Sequence, residues 1–321
     1  MQLIRSVNNF PYELVSTGSV LTIGAFDGLH IGHQCLIKNL VKQAHIKCLP
    51  SVVMSFEPTP SEFFAKEKPP ARLMRFREKF EALEKLGVDI FFCPRFDESV
   101  RNLSAGDFIR NLLIQKLNIK YLIIGDDFHF GRNRGGNFEQ LERVKDILEF
   151  EIEKTSSVII NKKRTSSTLI RDLLYQGDLI KAKEFLGKNY RMSGRVVIGH
   201  QLGRQLGYPT ANVNIQRLEC ALMGIFAVKV SGISKKPLDA VASLGKRPTF
   251  YEGKKPLLEV HIFDFNDDIY GHYINVDFIE KIRDEVKFNS ADDLIKQMHL
   301  DAKRAKEILL KNKSVTNKKK L

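Results

Sequence analysis

Tryptophan is absent from the 321 residues, and aromatic side chains make up only 9% of them. That leaves little material for a base-stacking platform along a nucleic-acid strand. The four cysteines, Cys35, Cys48, Cys93 and Cys220, are scattered without a CxxC pair, which argues against a zinc ribbon, a dithiol redox motif or a disulfide framework. No apolar run approaches the roughly 18 residues that a membrane-spanning helix needs. Arg5, Asn8 and Asn9 fall where a signal peptide would need an apolar block. These absences predict a cytoplasmic protein without a membrane partner.

What is present reads as an ordinary folded chain. Hydrophobic residues account for 43% and charged residues for 28%, close to the globular average, and the length suits two domains. The formal net charge is +13. Residues 302–321 hold eight lysines and arginines against Glu307, which is +7 and leaves +6 for the other 301 residues. The excess is therefore largely one helix end and a tail. The mild remainder suits anionic small molecules such as nucleotides and does not call for nucleic acid. Residues 312–321 are expected to be a basic, disordered tail.

From residue 20 to about 160, the β-like runs VLTIG, SVVMSF, VDIFFC, YLIIG and VIIN alternate with apolar residues at helical spacing. That alternation predicts an α/β domain, Rossmann-like, with a parallel sheet and crossover helices. Ser104 stands three residues before Asp107 at the head of FIRNLLIQKL, an approximate capping box. Near Lys188 the character changes to glycine-punctuated runs, GRVVIGH, GIFAVKV, DAVASLG, LLEVHIFDF and HYINVDFIEKI, the pattern of a small antiparallel β-barrel. A terminal helix from about Ser290 to Lys311 opens with acidic and ends with basic residues, which complements the helix dipole. The expected domains are 1–186, 187–311 and the tail 312–321.

Gly24-Ala-Phe-Asp27-Gly-Leu-His30-Ile-Gly32-His33 follows the first long strand and opens the first long helix. Such folds bind ligands at that edge of the sheet. Helix amides attract phosphate there, close-set glycines admit it, and two imidazoles three residues apart share a face. No GxxxxGK[ST] loop and no GxGxxG fingerprint accompanies them. Thr165-Ser-Ser167-Thr168-Leu-Ile-Arg171 begins a later helix, and Gly125-Asp-Asp127-Phe128-His-Phe-Gly131 follows the strand YLIIG. The HxGH string resembles the signature of adenylyl and cytidylyl transferases. The set together resembles the amino-terminal module of the prokaryotic bifunctional riboflavin kinase/FMN adenylyltransferase, or FAD synthetase, family. The resemblance implies transfer of AMP from ATP to FMN, with FAD and pyrophosphate as products. It implies that His30 and His33 bind the ATP phosphates within a loop containing Gly24, Asp27 and Gly32. Asp127, Arg164, Ser167, Thr168 and Arg171 would then contribute nucleotide contacts, with Pro58, Pro60 and Phe128 near the flavin.

In the second half, Gly194-Arg-Val-Val-Ile-Gly199 leads into Gly203-Arg-Gln-Leu-Gly207-Tyr-Pro-Thr210-Ala-Asn212. Glycine-freed backbone amides can cradle phosphate, and Thr210 and Asn212, expected on a short turn, offer oxygen ligands suited to Mg²⁺. The string resembles the GxxxGRxLGxPTAN motif of flavokinases, and Ser243-Leu-Gly-Lys-Arg-Pro-Thr-Phe250, Glu259-Val-His-Ile-Phe-Asp264 and Arg283-Asp-Glu continue the likeness. Leu244, Lys246 and Met223-Gly-Ile-Phe226 depart from the commoner wording. The resemblance implies phosphorylation of riboflavin to FMN, with Glu259 as general base, Gly199, Gly203 and Gly207 at the ATP phosphates, Thr210 and Asn212 on Mg²⁺ and Arg283 at the flavin. A carboxylate on a partly apolar strand face suits a base. The implied small molecules are riboflavin, FMN, FAD and ATP.

Overall fold

The computed structural model describes residues 1–65, 69–199, 207–247 and 255–318. The chain forms two compact units, Met1–Pro70 with Met74–Ser166, and Ala71–Leu73 with Ser167–Leu321.

The strands of the first unit are β1 (Gln2–Ile4), β2 (Ser19–Ile23), β3 (Ser51–Met54), β4 (Ile90–Phe92), β5 (Ile119–Gly125) and β6 (Glu151–Thr155). They form one parallel sheet in the order β1-β4-β3-β2-β5-β6. Its central strands are near-continuous apolar runs because both faces are covered. Leu21, Ile23, Val52, Met54, Leu122 and Ile124 enter one core, while Val20, Val53 and Ile123 enter the other. Helices α1 (Ile31–Lys47), α2 (Pro60–Phe64), α3 (Phe76–Lys85), α4 (Glu98–Arg101), α5 (Ala105–Asp107) and α6 (Phe138–Val144) belong to this unit. Ser104 caps α5 as expected: its Oγ accepts the Asp107 N–H at 3.0 Å and donates to the Asp107 carboxylate at 2.6 Å. The helix then runs on over Phe108–Lys116 in π form.

Two strand expectations need correcting. The last sheet strand is β6, Glu-Ile-Glu-Lys-Thr, whose charged composition hides it: it is an edge strand, pairing only with β5, where charge guards the open side. VIIN is not in the sheet. Ile159–Ile160 (β7) pairs antiparallel with Lys163–Arg164 (β8) in a small hairpin.

In the second unit, α7 (Ser167–Tyr175) and α8 (Leu179–Leu186) precede a closed barrel. Its strands are β9 (Tyr190–Val197), β10 (Ala211–Asn214), β11 (Gly224–Ser231), β12 (Leu238–Arg247), β13 (Lys255–Ile262) and β14 (Tyr273–Arg283), in the order β10-β13-β12-β11-β14-β9, closed by β9 on β10. Period-two alternation fills the inside: Leu258, Val260 and Ile262 are buried, and Leu257, Glu259 and His261 take the other face. α8 packs against β9 and β14, so the compact unit begins some twenty residues before the change to strand-rich sequence at Tyr190. Asn212 stands within β10, not on the expected turn, and Thr210 just precedes it.

The terminal helix α9 (Ala291–Lys318) is capped by Ser290, whose Oγ accepts the Asp293 N–H at 3.1 Å and donates to its carboxylate. It buries Ala302, Ala305, Ile308 and Leu309 against Ala227 and Phe263. The backbone stays helical to Lys318, seven residues past the expected end at Lys311. No glycine or proline interrupts it there, and lysine is a good helix former.

Candidate active sites

The order of the first sheet contains a reversal. The chain moves outward from β2 to β3 to β4 and returns to place β5 on the other side of β2. Ligands in open α/β sheets bind beyond the carboxyl ends of the strands at such a reversal. The Gly24–His33 loop leaves β2 and the Gly125–Phe128 segment leaves β5, so both arrive at that crevice.

His30 is the N-cap of α1, and its Nδ1 accepts the backbone N–H of His33 at 3.2 Å. With Nδ1 acting as acceptor, the neutral ring carries its proton on Nε2 and can donate from there. The two imidazoles stack, centroids 3.6 Å apart at 14°, and His33 meets the edge of Phe26 at 5.3 Å. Gly32 is what permits the stack: a Cβ there would lie 3.3 Å from the His30 ring. Burial pushes the His30 pKa down to about 4, against opposing pulls from a backbone hydrogen bond and Asp27. Burial, then His30, then Lys79 hold His33 well below the ordinary value. Both are therefore neutral at pH 7. His33 Nδ1 is buried with no hydrogen-bond partner, an orphan that a ligand oxygen would satisfy or fill.

Asp27 is buried and does not point freely into the crevice, since its Oδ1 accepts the Met74 N–H at 2.8 Å. A Cβ on Gly24 would meet the Phe26 ring at 2.9 Å. Arg164, brought over by β8, binds Asp126 at 2.9 Å and Asp127 at 3.0 Å, and Ser157 also donates to Asp126. The expected Asp127 and Arg164 are thus brought together, as partners of each other. Phe128 stacks on Phe130 at 5.6 Å and lies against the core.

Pro60 takes the first position of α2 behind the Thr59 cap, and Pro58 follows a cis peptide bond. Beside them Phe56, Phe63, Phe64 and Phe96 form an edge-to-face cluster that no local sequence pattern announces. Ser167, Thr168 and Arg171 open α7 in the second unit, where Arg171 Nε donates to Ala71 O at 2.7 Å.

In the barrel, register makes the site. Asn212 on β10 and Ser243 on β12 both stand opposite Glu259 on β13, so an amide, a carboxylate and a hydroxyl form one row across three strands. Asn212 is 5% exposed and its Oδ1 has no hydrogen-bond partner. Gly199 closes on it, for a Cβ there would fall 2.2 Å from Asn212 Nδ2. Gly207 adopts φ +79°, and Gly203 lies outside the described residues. Glu285, which ends the Arg283-Asp-Glu string but had no role assigned to it, joins the row: its Oε1 accepts from Ser243 Oγ at 3.5 Å, and a Cβ on Gly245 would stand 2.0 Å from that oxygen. Burial raises its pKa, with the Glu259 charge adding to the effect and Ser243 and Arg283 opposing it. Arg283 makes a two-pronged ion pair with the buried Asp301 of α9, at 2.9 and 2.7 Å.

Two family models match the chain, FAD synthetase over residues 13–169 and riboflavin kinase over residues 186–309. A bifunctional riboflavin kinase/FMN adenylyltransferase from Haemophilus influenzae is 44% identical, covering 95% of this chain and 98% of its own. The Escherichia coli K12 protein of that name is 43% identical over 96% and 97%. A crystal structure of a macrolide-efflux protein from Streptococcus pneumoniae is 31% identical, with a TM-score of 0.76 over 93% of this chain and 96% of that one. Efflux is said of that protein only; no described helix here is long and apolar enough to cross a membrane. With both units matched and relatives aligned over nearly their whole length, the chain belongs to the bifunctional riboflavin kinase/FMN adenylyltransferase family.

Proposed function

We propose that the chain makes FAD from riboflavin in two ATP-dependent steps, each on its own unit. The observation that carries this reading is that each unit holds a separate set of converging groups, the stacked histidine pair at the sheet reversal and the Asn212–Glu259–Ser243 row on the barrel.

In the kinase step the riboflavin 5′-hydroxyl oxygen attacks the γ-phosphorus of ATP. The bond to the bridging oxygen breaks, ADP leaves, and Glu259 takes the hydroxyl proton. Gly199 and Gly207 line the phosphates, and Arg283, aimed by Asp301, serves the flavin. The donor set fits Mg²⁺, a hard cation that takes oxygen ligands: Asn212 offers a buried oxygen without a partner, with Thr210 two residues before it. When bound, the ion would neutralise charge on the phosphates.

In the adenylylation step an FMN phosphate oxygen attacks the α-phosphorus of ATP, and the bond to pyrophosphate breaks. His30 donates from Nε2, His33 and the loop amides add further donors, and the field is strongest where negative charge builds up. No proton need be taken from FMN, whose phosphate is already ionised. Asp127 and Arg164 contribute at the nucleotide, and Pro58, Pro60 and Phe128 flank the flavin. We place the enzyme in the cytoplasm, which accords with its four free thiols.

Incubation with riboflavin, ATP and Mg²⁺, followed by chromatography of the flavins, tests the reading. FMN should appear first and FAD second. Absence of FMN, or of FAD when FMN is supplied, would sink the corresponding half.

A further inference from the structure

The phosphate loop is held by a group outside it. Lys79 on α3 is only 4% exposed, although burying an ammonium costs several kcal/mol by desolvation. The Lys79 Nζ donates at 2.6 Å to the carbonyl oxygen of Ala25, inside the Gly24–His33 loop, and Ser55 Oγ approaches the same oxygen at 3.5 Å.

That peptide unit sits in a strained turn. Phe26 has φ +48° and Leu29 φ +42°, left-handed values that a bulky side chain adopts only at a steric cost. They persist only where the surroundings over-determine them. Because the Ala25–Phe26 peptide is trans, pinning its carbonyl toward Lys79 sends the Phe26 N–H the opposite way. The Lys79 charge also reaches His33 and helps to keep it unprotonated.

We propose that Lys79 is a positioning residue for adenylyl transfer: its buried ammonium holds the Ala25 carbonyl away from the crevice and keeps the loop presenting N–H donors to the ATP phosphates. The proposal rests on the reading that this loop holds those phosphates. Lys79 touches neither substrate nor reacting atoms.

Four proteins test it, all full-length: wild type, Lys79→Met, Lys79→Gln and His33→Ala. FAD formation from FMN and ATP is measured beside FMN formation from riboflavin. Lys79→Met removes the hydrogen bond and should lower kcat for FAD formation about 10²-fold, the scale of an ångström-sized misplacement. KM for FMN should stay within about threefold and the kinase rate should be unchanged. Lys79→Gln retains a donor and should recover about tenfold relative to Lys79→Met. The peptide containing Phe26 should exchange amide hydrogen faster in Lys79→Met than in wild type.

The proposal is overturned if Lys79→Met makes FAD within about twofold of wild type, if the kinase falls in parallel, or if Lys79→Gln is no better than Lys79→Met. Should Lys79→Met not fold, Lys79→Gln alone decides, with about a tenfold loss expected and an unchanged rate contradicting the idea. His33→Ala separates the two readings: normal FAD synthesis by that variant removes the phosphate loop itself, whereas its loss with an unaffected Lys79→Met removes only the role of Lys79.

Discussion

Replacing His30 with asparagine should make the first unit resist acid better than the native chain. In the folded protein the His30 pKa lies at about 4, against an ordinary value of 6.5. The unfolded chain therefore binds a proton as pH falls through 6.5, while the folded chain does not. The native state loses stability by about 1.4 kcal/mol per pH unit per group over that window. Across the 2.5 pH units between 6.5 and about 4, the loss from His30 comes to about 3 kcal/mol. It is absent above pH 6.5 and complete near pH 4. Asparagine does not titrate and is a good N-cap, so its Oδ1 can replace Nδ1 as acceptor for the His33 N–H. The assay is urea unfolding read by pulsed hydrogen exchange of peptides from α1, at pH 7 and pH 4. The difference between His30→Asn and wild type should move in favour of the variant by about 3 kcal/mol on acidification. Parallel losses in both proteins would refute the reasoning, because His30 would then carry its proton in the folded state as readily as in the unfolded one.

Gly199→Ala should depress the kinase more than tenfold, because its Cβ falls 2.2 Å from Asn212 Nδ2, beyond what packing absorbs at a buried site. It should also raise the Mg²⁺ needed for half-maximal rate, while FMN supplied directly still becomes FAD; an unaltered kinase would detach Asn212 from the site. Gly32→Ala, whose Cβ would press the His30 ring at 3.3 Å, should slow FAD formation roughly tenfold and spare FMN formation, as steady-state rates would show. Asp301→Asn should weaken the barrel unit by up to about 3 kcal/mol, since it breaks an ion pair with a buried carboxylate; urea unfolding followed through β14 peptides would reveal it.

The two-part fold was legible because its signals are local. Parallel central strands are apolar throughout, barrel strands alternate, and HxGH and PTAN are contiguous strings. What stayed hidden depends on register and close approach. Glu151–Thr155 reads as polar because it is a guarded edge, and α8 joined the barrel although its own sequence is plainly helical. Asn212 was read as a turn residue because β10 is only four residues long and follows a proline-containing turn. Glu285 reaches the kinase row only because Gly245, forty residues earlier, leaves room for it. Lys79 looks like any lysine in an amphipathic helix until its Nζ is found on the Ala25 carbonyl.

The central claim is that two independent sites in one chain act in sequence, and a mixing experiment tests it directly. Glu259→Gln should lose about 10²–10⁴ in FMN formation yet convert supplied FMN to FAD. His30→Ala/His33→Ala should turn riboflavin into FMN and stop, as each lost donor costs about 10²–10³. Given riboflavin, ATP and Mg²⁺, neither variant alone should make appreciable FAD, whereas the two mixed should restore it through FMN released by one and taken up by the other. FAD made from riboflavin by the double histidine variant alone, or a mixture that accumulates FMN without FAD, would contradict the account.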